Sequence, residues 1–494
     1  MSTVKEITTM CKAGQLNEAY ELACADFEKG PSNVWVQREV GWALYYLIRK
    51  DAEGGDYENL TTHLDEFLSL DQLTIANDSV VYDMVLFWIG YIAKKHFNPS
   101  SPDTPVRLTS LFSRLKSYSF SPSKGYSMLI EGFCRFTAWD ELLDFIDWWG
   151  LDNLMDEDYR KVEISTGQKI ISVAERVYIS VSKGLLRKND RGKIESFLPR
   201  LEWLEEHHPQ MTYPGYFHGK LLLALGRSQE ESLKVTISFA RRKSSEFWIW
   251  QLLSEVFADE ADKHLSCLLR AVNCHTQEKY LGKVRMKLAD FYTRRGELAL
   301  AKYQIDVVTR TYLTEGWSLP HEVDYWIHQP WINTVKGIDK APIDYMAITN
   351  DILLEGSAEA IAVVSFFDNK SKKAHIIYGH KQQTSQKLCL RVNQGDVLKI
   401  NYTSEANGQV RVVSASKSHL PSDLSYAKVV EGKVVKKMGL THAFLKFNSG
   451  SAFISPQITE RHQCSNGATL ECLIVYDYNR KKDQWSWKVA KIIE

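Results

Sequence analysis

Residues 283–310 read KVRMKLADFYTRRGELALAKYQIDVVTR, and this stretch decides the fold of the longer part of the chain. Apolar residues recur at three- and four-residue spacing on either side of Gly296, the pattern of two amphipathic helices joined by a tight turn. Small Ala289 and Ala301 let the two helices cross closely, Tyr292 fills the groove between them, and Gly296 gives the turn its backbone freedom. Leu288 and Ile305 complete the spacing.

Outward from this hairpin, residues 1–335 read as helix after helix, with breaks at Gly30-Pro31, at 98–105 and at 208–214. Paired helices that cannot bury their apolar faces alone stack on one another, so a helical run of this length is read for repeats. The 283–310 pattern resembles the tetratricopeptide repeat, L-G-x-x-Y followed by G and A-x-x-x-F. The opening of the chain resembles the same unit, with Gly14 at the turn, Ala19 on the second helix, Pro31 closing it and Trp35 entering the next helix. Trp250, Leu253 and Phe257 form a partial match, Gly219 and Gly226 echo the spacing, and residues 100–200 depart from it. The resemblance implies an α-solenoid of tetratricopeptide-like hairpins whose surface docks a protein partner. Trp317, Tyr325, Trp326 and Trp331 follow the last hairpin, where they either cover its final apolar face or bind a peptide or base.

The pattern then changes. Residues 336–357 read as a linker with turn signals from Gly337 to Pro342, and from Ala360 the chain alternates in β-branched fashion, AIAVVSFF over 360–367. Two β-segments, 358–420 and 426–494, lie on either side of a stretch containing Pro421, each long enough for a small five-stranded barrel.

In the second segment, Val430-Glu-Gly-Lys-Val-Val reads as a first strand, followed by Thr441-His-Ala-Phe-Leu and Ser451-Ala-Phe-Ile-Ser, then Asn466-Gly-Ala-Thr-Leu-Glu-Cys and Trp487-Lys-Val-Ala-Lys-Ile. In this order the elements resemble the cold-shock family, whose RNP1 and RNP2 strands correspond to the second and third. The resemblance implies an OB-type barrel that binds single-stranded RNA or DNA, with His442, Phe444 and Phe453 as the stacking platform and Lys433, Lys436, Lys437 and Lys446 neutralising phosphates. His442 stands where the family has phenylalanine, and Ser455 where RNP2 has histidine. The alternative is that Phe444 and Phe453 point inward and fill the barrel. Residues 358–420 have a similar layout, with Lys373-Ala-His-Ile-Ile-Tyr in the RNP1 place, and read as a more divergent OB-like barrel. Phe366, His375 and Tyr378 are its base-contact candidates, or else ordinary core and edge residues.

Composition sets the remaining bounds. With 494 residues, 44% hydrophobic and 25% charged, the chain is of ordinary globular type and too long for one core. Its formal charge is zero, yet residues 358–494 hold 20 Lys+Arg against 11 Asp+Glu, leaving the basic end at +9 and the remainder at −9. Such asymmetry suits an anionic partner at the basic end, or a solvated lysine surface. The start, MSTVKEITTM, carries charges where a secretory signal is apolar, and the apolar run 80–93 contains Asp83 and is too short for a bilayer, so a cytoplasmic protein is expected. The eight cysteines lack a C-x-x-C pair, and Cys24, Cys134 and Cys389 are scattered like reduced core thiols. His207-His208 beside Glu205 and Glu206 reads as a helix end before Pro209 rather than a metal cluster. No cofactor or metal is expected, and no catalytic motif of the H-E-x-x-H, P-loop or G-x-S-x-G kind occurs. The expectation is therefore a non-enzymatic adaptor. The alternative is a protein-binding scaffold or regulatory subunit, for instance of a bacterial defence or stress system.

Overall fold

The computed structural model describes residues 2–163, 169–388, 390–404, 410–422, 424–479 and 483–493, so Cys389 lies outside the described residues. The chain divides into two compact units, residues 1–239 and 240–494.

The first unit is helical. Val4–Lys12 and Leu16–Lys29 form a hairpin with Gly14 at φ 88°, where a side chain would be strained, and Ala19 is fully buried at the crossing. Pro31 stands in the turn before Val34–Gly54, its carbonyl accepting from Gln37 Nε2 at 2.8 Å. Trp35 is not the packing residue the sequence suggested. The buried stripe of its helix runs through Val36, Val40, Ala43 and Leu44, and Trp35 lies off that stripe, 62% exposed beneath the Arg38 guanidinium. Further on, Ser79–His96 and Lys124–Phe133 pack backbone against backbone. A methyl group on Gly90 would strike the Met128 carbonyl, and one on Gly132 the Gly90 carbonyl.

In the second unit the 283–310 hairpin forms from Gly282–Arg294 and Leu298–Glu315, with Gly296 at φ 73°. Leu288, Ala289 and Ala301 are fully buried, and Tyr292 and Ile305 are 1% exposed. Trp250, Leu253 and Phe257 are also fully buried. The following aromatic run is divided: Trp326 packs with Ile305 and Val308 and Trp331 lies against them, while Trp317 and Tyr325 face solvent. The segment read as a linker contains a helix, Tyr345–Leu354, whose N-terminus is capped by the Asp344 carboxylate. It packs on Ala261–Val272 with Thr349 and Ile352 inward, and Arg241 Nε donates to the Leu353 carbonyl at 2.8 Å.

Ten strands follow. The first five are β1 (Ala358–Asp368), β2 (Lys373–Gly379), β3 (Gln382–Gln386), β4 (Val397–Ser404) and β5 (Val410–Lys417), in the order β3-β2-β1-β4-β5. The last five are β6 (Ala427–Val435), β7 (Ala443–Phe447), β8 (Gly450–Ile454), β9 (Thr469–Asn479) and β10 (Gln484–Ile493). They close into a barrel in the order β8-β10-β9-β6-β7, antiparallel except for the parallel β8–β10 seam, with the helix Pro456–Arg461 between β8 and β9. This order, with its parallel closure, is that of an OB-type barrel. The first five strands follow the same order but form an open five-stranded sheet rather than the second barrel the sequence suggested, and side chains bridge the β3–β5 gap. Val412 N donates to Gln386 Oε1 at 3.1 Å, and Thr384 Oγ1 to the Val410 carbonyl at 3.3 Å.

The two β-units share an apolar junction. Val363 of β1 and Ile377 of β2 meet Leu473 and Val475 of β9 and Ala490 of β10, and Tyr426 Oη donates to the Ile361 carbonyl at 2.7 Å. Leu473, Val475 and Ala490 are thereby covered, while Val435 of β6 and Phe444 of β7 stay exposed.

Candidate nucleic-acid interface

Alternation along β7 and β8 fixes which side chains face solvent. Ala443, Leu445, Ala452 and Ile454 are at most 1% exposed and belong to the barrel core. Phe444, 36% exposed, and Phe453 therefore point outward, and they are direct cross-strand partners. The core is made of aliphatic side chains and Cys464 and Cys472, with Phe447 and Trp487 packed against it, so Phe444 and Phe453 are not its filling. His442 joins them at the start of β7, giving ring separations of 5.5 Å to Phe453 and 5.8 Å to Phe444, with 5.8 Å between the two phenylalanines.

The register sets two rows across this face. One runs Val435, Phe444, Phe453, Lys488 over β6, β7, β8 and β10, and the next runs Lys433, Lys446, Ser451. Gly432 allows β6 to lie close to β7, since a side chain there would meet the Lys446 carbonyl. Lys433 and Lys446 stand directly opposite each other, and neither has an ion-pair partner among the described residues. Like charges so placed repel, and an anion laid between them would relieve the repulsion. Lys436 and Lys437 lie in the loop between β6 and β7. There Asn466 Oδ1 accepts from the Lys436 amide at 3.0 Å, and the apolar side chains of Met438 and Leu440 project into solvent. This arrangement offers rings for stacking beside cations for phosphate. Sequence reasoning missed Lys488 and the two exposed apolar loop residues; the alternation of β10 carried the signal for Lys488.

Of the three contacts expected of the first β-unit, Tyr378 and His375 are turned away from solvent and Phe366 is left open. Tyr378 lies inside, 7% exposed and packed with Tyr402, because its strand position points it to the core with Ala374 and Ile376. His375 points to the opposite face, into the junction, its Nε2 lying 3.4 Å from Asp477 Oδ1. Asp477 is also 3.2 Å from Lys488 Nζ. Burial alone would raise the Asp477 pKa, but His375 and the Lys488 ammonium outweigh it and hold the carboxyl below its usual range. Phe366 remains exposed, with Lys488 Nζ 6.0 Å from its ring centroid.

His207 and His208 are held in ring stacks, His207 on Trp203 at 4.7 Å and His208 on Tyr159 at 4.4 Å. Among the described residues no group of three or more His, Cys, Asp or Glu could hold a metal ion. None of the helices searched there is long and apolar enough to cross a membrane.

Residues 428–492, which take in β6 to β10, match the family model described as S1/CSD-like domain 2 of the TOTE conflict systems. The C-terminal barrel is thus of the S1/CSD-like class. Residues 212–346, which include the 283–310 hairpin, match the model of a domain of unknown function, DUF7017. No curated protein and no solved structure matches the chain.

Proposed function

We propose that the chain is a non-enzymatic cytoplasmic adaptor that binds single-stranded RNA or DNA on the outer face of β6–β8 and docks a protein partner on a tetratricopeptide-like helical body. The observation that carries this reading is the open trio His442, Phe444 and Phe453 beside the unpaired Lys433 and Lys446. The S1/CSD-like match supports it, and its description favours a role within a conflict system. Fluorescence anisotropy of the full chain with labelled single-stranded RNA and DNA at two salt concentrations tests the proposal. Salt-weakened binding is expected, lost in the folded triple variant His442→Ala, Phe444→Ala, Phe453→Ala. Absence of binding at low salt overturns it. The exposed Met438 and Leu440 favour a second reading, in which this face grips a protein and the chain is a scaffold. Partner capture that is lost on mutating the trio, without any affinity for nucleic acid, would select that reading.

A further inference from the structure

The row of outward side chains does not end at Phe453. Its neighbour in register is Lys488, and Lys488 lies over the ring of Phe366, on the adjoining β-unit. Among the described residues of β1–β5, Phe366 is the one large hydrophobic side chain left exposed, at 39%. Asp477 holds Lys488 from one side and His375 of β2 from the other, and the apolar junction joins the two β-units at this point.

Beyond Phe366 opens a groove of about 970 Å³, walled by the β1–β2 turn, the helix Pro456–Arg461 and the end of β10. Its acidic groups are already engaged. Asp368 accepts from the Lys370 amide and from Ser371 Oγ, and Asp396 accepts from the Asn393 amide and pairs with Lys417. Lys370, Arg461 and Lys491 line the same groove and have no ion-pair partner among the described residues.

We propose that a single strand bound on β6–β8 continues across Lys488 onto Phe366 and into this groove, so that both β-units hold one strand. Phe366 stacks a base there, and Lys370, Arg461 and Lys491 meet the phosphates that follow. The inference rests on the nucleic-acid reading of the C-terminal barrel and extends its footprint.

The test uses the full chain with labelled oligouridylate and oligothymidylate of about four to sixteen nucleotides, the range of site sizes for OB folds. Affinity is expected to rise with length. Phe366→Ala should weaken the longest oligomers about five- to tenfold and leave the shortest unchanged, while Phe366→Trp keeps the length dependence. Lys370→Glu with Arg461→Glu should lower the salt dependence for long oligomers alone. Length-independent binding, or long-oligomer affinity unmoved by Phe366→Ala, overturns the inference while the C-terminal platform stands. A wild-type chain that binds no oligomer removes the platform reading and the extension together.

Discussion

At the scale of single residues, Phe444 and Tyr378 show how one step of alternation changes what an aromatic ring does. Phe444 stands on the solvent side of β7, so Phe444→Ala should shift stability by no more than about 0.5 kcal/mol, whereas Tyr378→Ala empties part of the first core and should cost about 3–5 kcal/mol. Denaturant titration of the two variants makes the comparison, and equal losses would contradict the placement. Lys433→Ala should leave stability unchanged or slightly higher and lower the slope of log affinity against log salt by about 0.7, the single-strand value per phosphate contact. Asp477 contributes to the pH dependence on the acid side. Its carboxyl pKa is depressed in the folded chain, so the stability it supplies is full above the unfolded value of about 3.9 and is lost as pH falls through the lower folded value. The stability gap between wild type and Asp477→Asn is therefore expected to be flat at neutral pH and to close below about pH 4; a gap that persists there would count against the assignment. The sequence placed Phe444 and Phe453 on matching strand positions but left open which side was the core, since that depends on what fills the barrel. For His375 and Tyr378 the parity was legible: residues three apart on a strand face opposite ways, so the pair was never a single surface.

At the scale of elements, the 283–310 hairpin was readable because every key position is local to the two helices that use it. The helix Tyr345–Leu354 was not, because the turn signals at 337–342 stand beside it and its apolar face is completed by Ala261–Val272, far away in the chain. Trp35 shows the same limit, since the repeat spacing marked it as a packing residue entering its helix, whereas Val36 and Val40 take the buried stripe. The crossing of Ser79–His96 with Lys124–Phe133 falls where no repeat motif was visible, because backbone contact through glycine leaves no apolar signature. Gly90→Ala should destabilise the first unit by about 1–3 kcal/mol or more, since the methyl group meets a backbone carbonyl that cannot rotate away. A thermal melt unchanged by that substitution would mean the helices can part at little cost.

At the scale of the whole molecule, the sequence disclosed two β-segments, their order after the helices and the basic bias of the C-terminal end. It did not disclose that the two β-units share an apolar junction. That junction takes alternate residues from strands of both segments, and in either segment alone these look like ordinary core positions. Nor did it disclose that the second β-unit closes into a barrel while the first stays an open five-stranded sheet. One seam is a backbone ladder between β8 and β10, while the seam between β3 and β5 rests on the side chains of Gln386 and Thr384. A seam held by side chains lets go one rotamer at a time, without the cooperativity of a ladder. The first β-unit is therefore the one that breathes: in native-state hydrogen exchange, the amide of Val412 should trade its proton well before those of the β7–β8 hairpin.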